Sequence, residues 1–128
     1  MNRAINPERL APPAAAYSHA MLTEHATRWL HTSGVVPVRP DGTVPTDLAE
    51  QTTLVWSIIA TLLDEAGLAV PDVVSVTTYV VAGHDLGVVM AARDEAMAGH
   101  RPASTLIVVP SLARPAWQVE IAIVAAAQ

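Results

Sequence analysis

The sequence predicts an α+β domain in which two helices pack on one face of a mixed β-sheet. Three observations carry this. Between Leu48 and Leu63 apolar residues recur at three- and four-residue steps, which marks a helix with one buried face. Runs rich in Val, Thr and Ile at 73–81, 104–109 and 117–125 have strand character. A second helical stretch, opening at His84-Asp85, separates the first two of those runs.

The elements follow in order. Residues 1–16 are rich in Pro and Ala and read as an extended lead-in. Ser18–Leu22 and Thr27–Thr32 are short strand-type runs separated by the polar Thr23-Glu24-His25-Ala26, which predicts a hairpin. Ser33-Gly34 closes it, and Val35–Val38 continues extended. Pro40, Asp41 and Gly42 make a turn, because Pro fixes φ and Gly tolerates positive φ. Asp47 and Glu50 have capping-box spacing at the start of the first helix. Its face is Leu48, Gln51, Val55, Ile58, Ile59, Leu62 and Leu63, and Gly67 marks its stop. Val73–Val81 is apolar on both sides, as in a strand covered on both faces. The second helix carries Leu86, Val89, Met90, Arg93 and Met97 on one stripe and ends at Gly99. Ser104–Val109 is a strand, Pro110–Pro115 a loop, and Trp117–Ala125 a final strand.

A chain of 128 residues makes a single domain, residues 1–128. It has no cysteine, so disulfide and thiolate chemistry are excluded. Hydrophobic residues make up 52%, yet Phe is absent and Ala and Val carry the load. So much small apolar surface exceeds what one core hides and predicts contacts between copies. The net charge is -5, and all seven basic residues are scattered arginines, so no nucleic-acid partner is expected. Met1–Pro13 has no continuous apolar stretch of signal-peptide type, and no run approaches a membrane span. The expectation is a cytoplasmic protein with no membrane partner.

Glu120 is the most informative residue. It lies in Trp117–Val124, an otherwise uncharged strand, where alternation puts Gln118, Glu120, Ala122 and Val124 on one face. A carboxylate there costs stability unless it is bonded, paired or wet. It reads either as a general acid/base in a sheltered site or as an interface glutamate bonded to backbone or to a partner chain. Tyr17 either holds a ligand or anchors the N-terminal segment. Arg101 and Arg114 flank Ser104–Val109; each either binds a substrate carboxylate or is a solvated loop charge. Ser33-Gly34 offers backbone N–H groups or merely ends a strand. His19, His25, His31, His84 and His100 lack metal-ligand spacing, so no metal is expected. There is no phosphate loop, nucleophile elbow or dinucleotide fingerprint.

Several segments together resemble the RidA/YjgF family of reactive intermediate deaminases. They are Tyr17-Ser18-His19-Ala20, Leu30–Pro37, Glu50-Gln51-Thr52, Leu63–Leu68, Asp72–Thr77, Pro102-Ala103-Ser104 and Val119-Glu120-Ile121. The likeness runs from about Asn6 to Ala125. It implies a chorismate-mutase-like fold, a homotrimer with helices outside, and a small-molecule cleft between neighbouring subunits. It implies hydrolysis of enamines and imines to a carbonyl compound and ammonia, with no metal or organic cofactor. Tyr17, Ser33 and Gly34 match residues lining that cleft, and Glu120 matches the glutamate that positions water. Ser104 departs: active deaminases carry there an arginine that grips the substrate carboxylate. Met90 stands for a frequent asparagine, Leu106 for a frequent cysteine, and Ala122 for a second acidic residue. These changes describe an arginine-less branch with a more apolar cleft.

Two functions follow. In the first, Glu120 drives hydrolysis or tautomerisation of an imine, enamine or related reactive carbonyl metabolite, uncharged or larger than 2-aminoacrylate. Tyr17, Ser33, Gly34, Met90, Ser104, Leu106 and Arg114 then bind substrate. In the second, the trimer is a non-catalytic metabolite-binding or regulatory protein. Ribonuclease activity, attributed to some relatives, is opposed by the acidic charge.

Overall fold

The computed structural model describes residues 1–128. Six strands and two helices are β1 (Asn2–Ile5), β2 (Ala20–Thr23), β3 (Arg28–His31), α1 (Leu48–Glu65), β4 (Val73–Val81), α2 (Leu86–Met97), β5 (Ala103–Val109) and β6 (Val119–Ala127). The main sheet has the order β3-β6-β4-β5, with β4 and β5 parallel and the other pairs antiparallel. This is the expected α+β architecture with both helices on one face.

α1 forms where the periodicity puts it. The Asp47 side chain accepts a hydrogen bond from the Glu50 N–H and caps the first turn. Gly67, at φ 69°, takes the chain out of the helix. Asp85 caps α2 by accepting from the Gly87 N–H. In the turn before α1, Thr43 donates its hydroxyl and its N–H to Asp41 and holds that carboxyl below the usual carboxylate range.

The core lies between helices and sheet. Val55, Ile59 and Leu63 of α1 and Val89 and Met97 of α2 pack with Val76 and Val80 of β4 and with Ile121 and Ile123 of β6. One polar residue is built into it. Gln51 is fully buried; its amide nitrogen donates to the Pro45 and Ala116 carbonyls, and its amide oxygen accepts from the Gln118 N–H. This side chain ties α1 to the loop that delivers β6.

The N-terminal third departs from expectation. There is no hairpin across Thr23–Ala26. β2 pairs instead with β1, from within the lead-in, and β3 pairs with the end of β6. The linking residues lack the Gly or Asn that a tight hairpin uses, and His25 takes up a φ of 60° as the chain passes from one sheet to the other. β3 gains by the exchange, since Leu30 then lies opposite the buried Ala125 and packs against the core. β6 begins at Val119 and runs to Ala127, two residues later than expected at each end.

Candidate functional site

Strand register decides which candidate residues share a face. Glu120 is opposite Tyr79, and Tyr79 is opposite Ile107, so these three point to one side. Ile121 is opposite Thr78, which is opposite Leu106; Ile123 is opposite Val76, which is opposite Ser104. Ile121, Ile123 and Val76 are core residues beneath the helices. Ser104 and Leu106 therefore face the helix layer, while Glu120 faces the open side of the sheet.

On the open side, Glu120 stands against Gly34. Val35 pairs with Ile121 through two backbone hydrogen bonds of 2.7 and 3.1 Å, which lays Ser33-Gly34 along β6. A Cβ at position 34 would fall 2.0 Å from Oε2 of Glu120 and 2.6 Å from its Cδ. Glycine is required here for close approach, and the carboxylate lies over the bare backbone. Glu120 is half-buried, and its side chain makes no hydrogen bond or ion pair within the chain. Ser33 is exposed beside it.

On the helix side a second group gathers around the start of β5. Arg93 of α2 is buried, and its Nη1 donates to Oγ of Ser104 at 3.2 Å. Its Nε and Nη2 both donate to Oδ1 of Asp94, at 3.2 and 3.1 Å. Met90 is half-buried one turn earlier on the same helix, and Leu106 follows Ser104 on the same face of β5. Tyr17 is held beside this strand because Ser18 bridges Ala103 and donates its N–H to the Pro102 carbonyl at 3.0 Å. The Tyr17 hydroxyl accepts from the Ala14 N–H at 3.4 Å.

The candidates thus form two groups: Met90, Ser104 and Leu106 on the helix side of the sheet, with Tyr17 held beside the start of β5, and Gly34 and Glu120 on the open side. Arg114 joins neither. It lies exposed over the Trp117 ring, 5.7 Å from its centroid. Arg101 is exposed, and only its carbonyl is engaged, by the Ser18 hydroxyl. No three His, Asp or Glu side chains cluster as metal ligands. A cavity of about 270 Å³ between α1 and α2, lined by Trp56, Ile59, Leu63, Ala92 and Met97, contains none of the candidate residues.

The family model for endoribonuclease L-PSP, which describes the RidA/YjgF proteins, matches residues 8–127. The chain belongs to the RidA/YjgF family. A Yersinia pestis member of the Rid family, YyfB, described as of unknown function, is 32% identical over 98% of both chains, with a TM-score of 0.88. A second Yersinia pestis Rid protein, YyfA, is 24% identical over 99% of this chain and 100% of its own, with a TM-score of 0.73. Escherichia coli TdcF, solved with bound serine, is 22% identical over 98% and 99%, with a TM-score of 0.72. No curated protein matches the chain.

Seen as a RidA/YjgF chain, the molecule holds one surprise. The sequence reading offered Arg101 and Arg114, which flank Ser104–Val109, as the arginines that could bind a substrate carboxylate. The arginine beside Ser104 is Arg93, which that reading placed on the helix stripe and passed over. Its signal was there: a cation at a position whose neighbours on the stripe, Val89 and Met97, are buried and apolar.

Proposed function

We propose that this chain hydrolyses or tautomerises an imine, an enamine or a related reactive carbonyl metabolite in a cleft between copies of a homotrimer, with Glu120 as general base. One observation carries the reading. A half-buried carboxylate on an almost uncharged sheet face, without any partner in its own chain, is held over a glycine that exists to make room for it. Such a group is placed for proton transfer to or from something outside the chain.

In the proposed reaction an enamine takes a proton from solvent at carbon, or an imine takes one at nitrogen, and either becomes the iminium ion. Glu120 then accepts a proton from water as the oxygen attacks the iminium carbon and gives the neutral carbinolamine. The carbinolamine collapses to the carbonyl compound: Glu120 returns its proton to the nitrogen, which leaves as ammonia, and the hydroxyl proton passes back to solvent. The overall change is imine plus water to carbonyl plus ammonia, which needs no redox partner. The two-faced distribution of site residues supports a cleft built from two copies, because one ligand cannot touch both faces of the same sheet. The open face carries one carboxylate among apolar and hydroxyl side chains, and the exposure of Trp29 and Ile107 on it supports burial against further copies. TdcF, of the same fold, holds serine; this supports a ligand of amino-acid size.

Ammonia release from freshly generated imines, compared between the native chain and Glu120→Gln, tests the mechanism. Turnover is expected to fall by on the order of 100-fold or more. Unchanged turnover in Glu120→Gln would refute the role of the carboxylate. A second reading, a non-catalytic metabolite binder, is favoured by the Tyr17 and Ser104 hydroxyls already accepting internal hydrogen bonds. Saturable ligand binding with no ammonia release across the panel would establish it instead. RNA cleavage is opposed by the net charge of -5 and the dispersed arginines.

A further inference from the structure

A buried cation has to be satisfied, and Arg93 is satisfied only in part. Its side chain is 7% exposed, whereas the carboxylate of its ion-pair partner Asp94 is 47% exposed. Asp94 engages it through a single oxygen, which takes both Nε and Nη2. Nη1 donates to Oγ of Ser104. A guanidinium has five N–H donors in a rigid plane. Three are used here, and one on Nη1 and one on Nη2 find no acceptor in the chain. Those two lie on adjacent nitrogens, the arrangement that matches the two oxygens of a carboxylate. Ser104 adds a third donor, since its oxygen accepts from Arg93 and its own hydrogen has no acceptor in the chain. Met90, one turn earlier on α2, and Leu106, next on the same face of β5, are half-buried apolar neighbours in sequence.

We propose that Arg93 and Ser104 together anchor a carboxylate of the ligand, so that the ligands of this site are small organic acids rather than uncharged compounds. The charge absent from position 104 is supplied from α2, and the serine leaves the room that a guanidinium arriving from the helix needs. The reaction assigned to these acids rests on the function proposed above; the anchor does not, because carboxylate binding is measurable without turnover.

The test is equilibrium binding of pyruvate and 2-oxobutyrate, each against its methyl ester, to the native chain, Arg93→Met and Ser104→Asp, with thermal unfolding of each. The native chain is expected to prefer the acids. Arg93→Met is expected to weaken acid binding by on the order of 30-fold or more and to abolish the preference over the esters. Ser104→Asp puts a carboxylate of the protein against Arg93, and it is expected to fold and to exclude the acids. It therefore decides the matter even if Arg93→Met fails to fold. Acid affinity unchanged in a folded Arg93→Met, or in Ser104→Asp, would overturn the proposal and leave Arg93 as a tie between α2 and β5. Carboxylate binding that depends on Arg93 in a chain that releases no ammonia would uphold the anchor and refute the reaction. Turnover confined to uncharged imines would do the reverse.

Discussion

At the scale of single residues, Gly34 and Glu120 form a matched pair. The backbone of Gly34 is not in the left-handed region, so its need is for space alone. Alanine there collides with the far end of a flexible side chain, which swings away at little cost. Gly34→Ala is therefore expected to change stability by less than about 1 kcal/mol while displacing the carboxylate. Turnover measured beside thermal unfolding checks this; a fall in activity without a fall in unfolding temperature is the expected pattern. Glu120 was legible in the sequence because a lone charge in an apolar strand is conspicuous. Gly34 was legible only as a strand end, since the approach of β6 to its backbone is a tertiary fact. Arg93 was visible but not interpreted, because sequence spacing does not tell which strand a helix faces.

At the scale of elements, α1 and β6 are fastened through Gln51. Replacing it with leucine preserves helix propensity and much of the volume but strands the Pro45 and Ala116 carbonyls and the Gln118 N–H. A stranded buried group costs about 1–3 kcal/mol and a part-buried one less, so Gln51→Leu is expected to destabilise the fold by roughly 3 kcal/mol, read by urea unfolding. The loop before Glu120 is expected to loosen first, with faster amide exchange at Gln118 than at Val76. Both helices and the strands β4 and β5 were readable, because their caps, stops and periodicities are local. The pairing of β2 with β1 and of β3 with β6 was not. Short strands with little alternation carry weak register information, and their partners are chosen by which edges the rest of the fold leaves free.

At the scale of the whole molecule, one face of the sheet is filled by helices and the other is open. In the proposed homotrimer, sedimentation gives the mass of three chains, and each cleft takes Arg93 and Ser104 from one copy and Glu120 from the next. The division of the site between the two faces then has a statistical consequence. A pool of Arg93→Met chains is inactive, and so is a pool of Glu120→Gln chains. Yet every junction at which a Glu120→Gln chain offers its intact Arg93 to an Arg93→Met chain with its intact Glu120 is whole. Random co-assembly in equal amounts makes about one junction in four of this kind, since a head-to-tail ring joins unlike surfaces. Mixed refolding is expected to recover about that fraction of native ammonia release, and no recovery would place both groups in one chain's cleft. Two broken genes in the same cell would then complement each other at the level of the assembled ring.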